Sequence, residues 1–353
     1  MNRHRFSAFL SVFCFGFFIA ILWIAPRLLA QNALHASPAN ATAPVAAFTV
    51  TAPATPIAVI PFELYHNRVY LPVRVNGSGP YTMILDTGAA ETFVSEKVAD
   101  EVKLQRKGSA QVRGNGEGVE HFPLAKNVNF SAGEATLLEK IVVVYDYSDL
   151  EKHEGRAIDG TLGVNFFHRY VVEIDYEKRK LLMFEPSTFV ITGHGVPVPL
   201  QLLAGGTVAL FDAKIVGADG QAAMEAHLAV DCGTYSALRL FRPFVEKHAL
   251  IGEGRGQFAS FGFGAGGEFQ QVTGRVAGLE IDGVKIVNPV ADFSTDTKGA
   301  TATAGYDGTI GGDILRRFTV TLDYSRARMM LQPNASFGTP FETDKSGERA
   351  GAG

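Results

Sequence analysis

The chain has 353 residues, of which 46% are hydrophobic and only 19% charged, so it is too apolar for a disordered protein and long enough for two domains. Its two cysteines, Cys14 and Cys232, lie far apart, which excludes a disulfide framework and a zinc site built on four thiolates. The net charge of −4 argues against a nucleic-acid-binding protein, and 38 glycines favour turn-rich β structure over long helices.

The N-terminal segment, residues 1–30, has the layout of an export signal. Two arginines precede an uncharged apolar stretch, residues 6–26, and small residues follow it. Because this stretch is long enough to cross a bilayer, a cleaved signal peptide and a retained membrane anchor are equally open alternatives. Both place the rest of the chain outside the cytoplasm, in the periplasm or outside the cell. Residues 31–57 are rich in Ala, Pro and Thr and are predicted to form a flexible tether.

An internal repeat organises the remaining sequence. In each half a predicted strand meets a turn, Asn76-Gly77 or Asp219-Gly220, and a second apolar run then ends in an acidic turn. These acidic turns are Asp86-Thr87-Gly88 and Asp231-Cys232-Gly233. Each is followed by a helix-like segment (93–102 and 238–248), a glycine-rich stretch (114–118 and 262–267) and a hairpin (132–133 and 282–283).

The closing segments of the two halves match most clearly, because residues 158–183 align with residues 306–331 without a gap. This repetition predicts a duplication that produced two β-rich lobes, residues 58–190 and 207–333. Residues 191–206 are predicted to link the lobes, and the polar residues 334–353 to form a disordered tail.

The two Asp-x-Gly turns, each followed by a glycine-rich hairpin and an apolar-Gly segment (Leu162-Gly163 and Ile310-Gly311), resemble the aspartic proteases of the pepsin and retropepsin clan. The resemblance implies an all-β, two-lobed acid-protease fold, in which two duplicated retropepsin-like β-barrel lobes flank a central cleft. It also implies that an apolar-Gly strand passes behind each turn and that Asp86 and Asp231 face each other as the catalytic pair. No cofactor is implied, and the expected partner is a peptide or protein substrate.

The chemistry gives independent reasons for these residue types. Two carboxylates about 3 Å apart cannot both ionise, so they share one proton and act together as a general base and a general acid. A glycine lets backbone N–H groups approach the carboxylates, and a hydroxyl in the middle position can tie the two turns together. The supporting turn residues are therefore Thr87, Gly88, Cys232, Gly233 and Thr234.

The second turn departs from the family pattern, since Cys232 stands where Thr or Ser is usual and a thiol is a weak donor. We interpret Cys232 as a small buried residue, with redox switching of its thiol as the alternative. Thr234 offers a hydroxyl after the second turn, whereas Ala89 follows the first. This difference suggests an asymmetric pair in which Asp231 is more often ionised and Asp86 more often holds the proton.

The remaining assignments concern loops and recurring acids. Gly114, Gly116, Gly118 and Phe122 are candidates for a flap over the cleft, although the same composition is typical of an ordinary hairpin. Four other acidic residues recur at turn and strand-end positions, where we expect structural roles: Asp159, Asp307, Asp175 and Asp323.

These patterns predict an exported aspartic endopeptidase, acting as a monomer, that cuts extended peptide segments. One alternative is a non-catalytic peptide- or ligand-binding protein on the same fold, in which the Asp-Cys-Gly lobe has lost competence. Another keeps the activity but pairs lobes between chains to form a dimer.

Overall fold

The computed structural model describes residues 54–113, 119–191, 195–217, 222–264, 267–303 and 305–342. The fold is all-β, with two lobes built on half-barrel sheets, which confirms the fold class predicted from the sequence. The predicted leader, residues 1–30, and most of the tether lie outside the described residues, as does the Asp219-Gly220 turn.

The N-terminal half contains the strands β1 (Ala58–Pro61), β2 (Glu63–Tyr65), β3 (Arg68–Val75), β4 (Ser78–Leu85), β5 (Thr92–Ser95), β6 (Ser109–Arg113), β7 (Val119–Ala125), β8 (Val128–Ala132), β9 (Ala135–Glu139), β10 (Val142–Tyr145), β11 (Gly160–Leu162), β12 (Val171–Asp175) and β13 (Lys180–Phe184). Its helices are α1 (Glu96–Glu101), α2 (Ser148–Glu154) and α3 (Val164–Arg169).

The C-terminal half contains the strands β14 (Val196–Pro199), β15 (Gln201–Leu203), β16 (Val208–Val216), β17 (Ala223–Val230), β18 (Leu238–Leu240), β19 (Phe258–Gly264), β20 (Gly267–Arg275), β21 (Gly278–Ile281), β22 (Val284–Val287), β23 (Val290–Ser294), β24 (Gly308–Ile310), β25 (Phe318–Asp323) and β26 (Arg328–Pro333). Its helices are α4 (Arg242–Lys247), α5 (Ala300–Thr303) and α6 (Gly312–Leu315).

The long hairpin strands follow the period of two that their sequences predict. Along β16, every second side chain from Ala209 to Ile215 is buried, whereas Asp212 and Lys214 face solvent. The turn between β3 and β4 places Asn76 and Gly77 at φ values of +48° and +82°, and this left-handed conformation is the reason Asn-Gly closes tight hairpins.

The two lobes have the same strand order. The N-terminal lobe sheet runs β6-β7-β10-β5-β11-β4-β3-β8-β9, with β2 paired to β3. The C-terminal lobe sheet runs β19-β20-β23-β18-β24-β17-β16-β21-β22, with β15 paired to β16. Each strand of one list thus has a counterpart in the other, as a duplication requires.

A third sheet, of order β1-β13-β12-β25-β26-β14, joins the lobes. Its centre is the antiparallel pair β12–β25, in which Ile174 lies opposite Val320. Because the recurring closing segments of the two halves pair here, this sheet fixes how the lobes face each other.

Three predictions of local structure need correction. The first residues of each helix-like segment form the strands β5 and β18, because their side chains alternate between two packed faces, and only the later residues are helical. The predicted linker, 191–206, contributes β14 and β15 to two sheets. The predicted disordered tail is ordered as far as residue 342, since Phe341 is buried and packs against the fully buried Arg317.

No helix in the described part of the chain is both long and apolar enough to cross a membrane.

Candidate active site

Each acidic turn begins where a buried hairpin strand ends. Leu85 closes β4 and Val230 closes β17, and the next backbone N–H donates to the strand behind it: Asp86 to the Leu162 carbonyl and Asp231 to the Ile310 carbonyl, both at 3.0 Å. The apolar-Gly segment must pass close to the turn on each side. A Cβ at Gly163 would lie 2.2 Å from the Glu91 carbonyl oxygen, so only glycine fits.

The structure brings the Asp86 and Asp231 carboxyl groups together, close enough for each to act on the pKa of the other. Within each turn, the glycine N–H donates to the carboxylate of its own lobe, from Gly88 to Asp86 Oδ1 at 2.7 Å and from Gly233 to Asp231 Oδ1 at 3.1 Å. Each glycine also lies against the opposite carboxyl, because a Cβ at Gly233 would lie 2.2 Å from Asp86 Oδ1. Any larger residue would therefore push the two carboxyl groups apart.

The pKa values of both carboxyl groups are raised, chiefly by burial. For Asp86, burial and the nearby Asp231 charge raise the pKa to about 7. For Asp231, burial raises the pKa as well, but the Arg239 and Arg68 cations and the hydrogen bond from Asp86 oppose the rise. Burial and the proximity of the two carboxyl groups therefore favour the state in which the pair holds one proton, and the Arg239 charge favours ionisation of Asp231.

The middle residues lock the turns together unequally. The Thr87 hydroxyl donates to the Val230 carbonyl at 2.8 Å and accepts from the Cys232 N–H at 3.0 Å. On the other side the Cys232 thiol lies 3.3 Å from the Leu85 carbonyl. Cys232 is fully buried, and burial raises the pKa of its thiol well above the ordinary value, which keeps the sulfur protonated and unreactive.

Thr234 does not act as the sequence analysis supposed. Its side chain is buried, but among the described residues no hydrogen bond joins its hydroxyl to Asp231. Arg239 is the cation that distinguishes the two carboxyl groups, since its charge lowers the pKa of Asp231, whereas Arg68 lowers the pKa values of both.

A buried ion pair that the sequence analysis missed supports the second turn. Arg68 of the N-terminal lobe donates through Nε to the Gly233 carbonyl at 2.7 Å and lies over the Tyr235 ring at 5.1 Å. Its guanidinium pairs with Glu154, which also contacts His66 at 3.2 Å. The available signal was the charged residue Arg68 at the start of β3, directly before the apolar run of residues 69–73.

The flap candidates fall only partly within the described residues. Gly114, Gly116 and Gly118 lie outside them, whereas Phe122 lies on β7 and packs against Tyr145 with 5.0 Å between ring centroids. In the other lobe, the β19–β20 hairpin reaches across to the N-terminal half. Phe263 stacks on His153 of α2 at 5.7 Å, so this hairpin covers the cleft from the C-terminal side.

The other recurring acids hold the backbone, as expected. Asp159 accepts from the Thr82 N–H at 2.9 Å, and its counterpart Asp307 accepts from the His227 N–H at 2.8 Å. Asp175 and Asp323 lie at the ends of β12 and β25, where they accept hydrogen bonds from neighbouring basic residues. Among the described residues, no three His, Cys, Asp or Glu side chains are grouped so that they could hold a metal ion.

A proton-sharing carboxyl pair can deprotonate a water molecule with one oxygen while it protonates an acceptor with another. Comparison with known proteins agrees with this chemistry. Residues 71–166, from β3 into α3, match the profile of the aspartyl protease family, and the matched segment contains the first acidic turn. The match confirms the clan resemblance seen in the sequence. None of the curated proteins matches the chain significantly.

Proposed function

We propose that this protein, which carries an aspartyl protease domain, is an exported aspartic endopeptidase whose catalytic residues are Asp86 and Asp231. The observation that carries the proposal is the close approach of two carboxyl groups, one from each lobe, each of which lies against the glycine of the opposite turn. In these turns the glycine N–H groups hold the carboxylates in place, and the Arg68 and Arg239 cations favour the singly ionised pair.

In the proposed mechanism Asp86 holds the one proton of the pair, because the Arg239 cation favours the ionised form of Asp231. Asp231, ionised, accepts a proton from the water that attacks the peptide carbonyl carbon, while Asp86 donates its proton to the carbonyl oxygen. The tetrahedral intermediate then collapses: the C–N bond breaks, the leaving nitrogen takes the proton held by Asp231, and Asp86 recovers its proton from a hydroxyl of the intermediate. The pair returns to its starting state after each turnover.

The substrate is an extended peptide that adds as a strand between the β6–β7 and β19–β20 hairpins. Export by residues 1–30, as a cleaved signal or a retained anchor, belongs to the same proposal and rests on the apolar stretch 6–26. Fractionation of the producing cells, followed by N-terminal sequencing of the mature chain, tests the location and distinguishes these two forms.

The decisive experiment measures peptide hydrolysis by the wild type and by the Asp86→Asn and Asp231→Asn variants. Both substitutions should reduce kcat by about 10³-fold or more, because each removes one member of the acid–base pair. Asp212→Asn serves as the control, since Asp212 is exposed and, within the described part of the chain, pairs only with His227 on the C-terminal sheet. Full activity in Asp231→Asn would contradict the proposal, and a wild type that binds peptides without cutting them would favour the non-catalytic alternative.

The pH dependence follows from the raised pKa values. Activity needs one proton on the pair, so it should fall as the pH rises through about 7, where Asp86 loses that proton. It should also fall at low pH, where Asp231 becomes protonated. A profile of kcat/KM against pH should therefore be bell-shaped, and constant activity from about pH 6 to about pH 9 would rule out this assignment.

A further inference from the structure

The cleft-side faces of the two lobes differ in polarity at equivalent positions. In the N-terminal lobe, Phe93 lies opposite Thr161 on one neighbouring strand and Val143 on the other. In the C-terminal lobe, the corresponding neighbours of Arg239 are Thr309 and Asp292. Register along the adjoining strands extends the correspondence to three further pairs: Leu124 with Thr273, Phe122 with Gln271, and Tyr145 with Ser294.

The N-terminal face, here called the apolar wall, is built from Phe93, Phe122, Leu124, Val143 and Tyr145. Its aromatic rings contact one another, with centroids 5.0 Å apart for Phe122 and Tyr145 and 6.1 Å for Phe93 and Tyr145. These side chains form a cluster separate from the main core, because the alternate residues of β5 and β10 face that core instead. Phe93 and Tyr145 are only half-buried and can contact a bound ligand.

The C-terminal face, here called the polar wall, is built from Arg239, Gln271, Thr273, Asp292 and Ser294, all at least nine-tenths buried. Asp292 accepts from the hydroxyls of Ser236 at 2.7 Å and Thr273 at 2.8 Å. The guanidinium of Arg239 lies 4.5 Å from the Phe269 ring centroid, and its charge acts on Asp231. This wall therefore reaches the catalytic pair.

Two polar atoms of this wall lack hydrogen-bond partners within the described structure. They are Nε of Arg239, a donor, and Oε1 of Gln271, an acceptor, on side chains that are 4% and 5% exposed. Phe269 and Gln271 are alternate residues of β20, so the guanidinium that stacks on Phe269 lies on the same face as Gln271. Buried polar groups normally find partners, and an unpaired donor and acceptor together call for a ligand that carries both.

We propose that the polar wall is a subsite for a carboxamide side chain, Gln or Asn, next to the scissile bond, and that the apolar wall takes an apolar side chain on the other side of that bond. The inference rests on the proposed function and names its substrate class. The carboxamide oxygen accepts from Arg239 Nε, and the carboxamide NH₂ donates to Gln271 Oε1. A carboxylate could satisfy Arg239 but would leave Gln271 facing a second acceptor, with the acids Asp292 and Asp231 nearby.

The experiment compares matched peptides that differ only at the residue next to the cleaved bond: Gln, Glu or the nearly isosteric Met. A peptide mixture analysed by mass spectrometry first locates the cleaved bonds in the wild type. We expect kcat/KM for Gln to exceed that for Met and for Glu by about tenfold or more, because an unmatched side chain leaves the polar wall unpaired. Arg239→Met and Gln271→Leu should each remove the preference for Gln over Met, whereas Arg106→Met, which alters an exposed pair with Asp100, should retain it.

The outcomes separate this inference from the proposed function. Cleavage with equal kcat/KM for Gln and Met would overturn the inference and leave the protease intact, and a preference for Glu would replace carboxamide by carboxylate recognition and overturn it as well. If the wild type cuts no peptide, the proposed function fails. Peptide affinity of the Asp86→Asn variant, measured by calorimetry, then still decides the inference: tighter binding of Gln than of Met supports it, and equal binding refutes it.

Discussion

The two acidic turns share one backbone arrangement and differ in their side chains. In both, the aspartate N–H bonds to a parallel strand, the following glycine N–H bonds to the carboxylate, and a second glycine passes behind. Around the first turn the middle residue is Thr87, and around the second it is Cys232. The duplication has preserved the backbone that places the carboxyl groups, while charges and hydroxyls have been distributed unequally between the lobes.

Arg68 offers the strongest way to test that inequality, because its counterpart in the C-terminal lobe is Val208. Arg68→Met should lower the free energy of unfolding by about 3–5 kcal/mol, since the buried Glu154 would lose its cationic partner and keep only the contact with His66 among the described ion pairs. The double variant Arg68→Met/Glu154→Met should recover much of this loss. Urea denaturation measures both, and a single variant as stable as the wild type would show that the ion pair is not needed.

Substitution of Arg68 should also shift the dependence of kcat/KM on pH. The Arg68 cation lowers the pKa values of both carboxyl groups of the pair, so Arg68→Met should shift both limbs of the kcat/KM profile to higher pH. Arg68→Lys keeps the charge and should leave the limbs near their wild-type positions, although it loses the bond from Nε to Gly233. If the limbs of the two variants lay at the same pH values, the Arg68 charge would not act on the carboxyl pair.

The middle residues of the two turns bond the turns together unequally, so their substitution should change the free energy of unfolding by unequal amounts, smaller than for Arg68→Met. Thr87→Val should destabilise the fold by about 2–4 kcal/mol, because the Cys232 N–H and the Val230 carbonyl would be left buried and unpaired. Cys232→Ser should change the free energy of unfolding by no more than about 1 kcal/mol, as it replaces one weak thiol bond by a hydroxyl bond. If thermal unfolding showed equal losses of stability for the two substitutions, the Thr87 and Cys232 side chains would contribute equally to the bonding between the turns.

The smallest effect is expected at Thr234. Because its hydroxyl does not bond to Asp231 within the described structure, Thr234→Ala should leave both limbs of the pH profile in place. Ala89 is the equivalent residue after the first turn, and the variant Ala89→Thr provides the matched comparison. A downward shift of the limb assigned to Asp86 in Ala89→Thr, or an upward shift of the limb assigned to Asp231 in Thr234→Ala, would restore the hydroxyl-based explanation of the asymmetry.

Much of the fold could be predicted from the sequence, because a repeat exposes its own boundaries. Asp86 and Asp231 occupy corresponding ends of apolar runs, and the parallel strand behind each turn recurs with its glycine. The ordered segment after Pro333 could not be predicted, since it is held by residues earlier in the chain, through hydrogen bonds from Arg317 and Arg275 to its backbone. Arg68 and Arg239 escaped notice for a related reason: their effect on the carboxyl pair depends on contacts across strands and lobes.

The C-terminal segment around Thr339 has a consequence for processing of the chain. Arg317 is fully buried, and its guanidinium donates to the carbonyls of Ser336, Thr339 and Pro340 while Phe341 lies over it at 3.6 Å. A nick before Ser336, whether by another peptidase or by self-digestion, would release these acceptors and leave the buried Arg317 cation with its contacts to Asp313 alone among the described partners. The last ordered turn thus stabilises the second lobe, and its removal by proteolysis would shorten the time for which the protein stays folded.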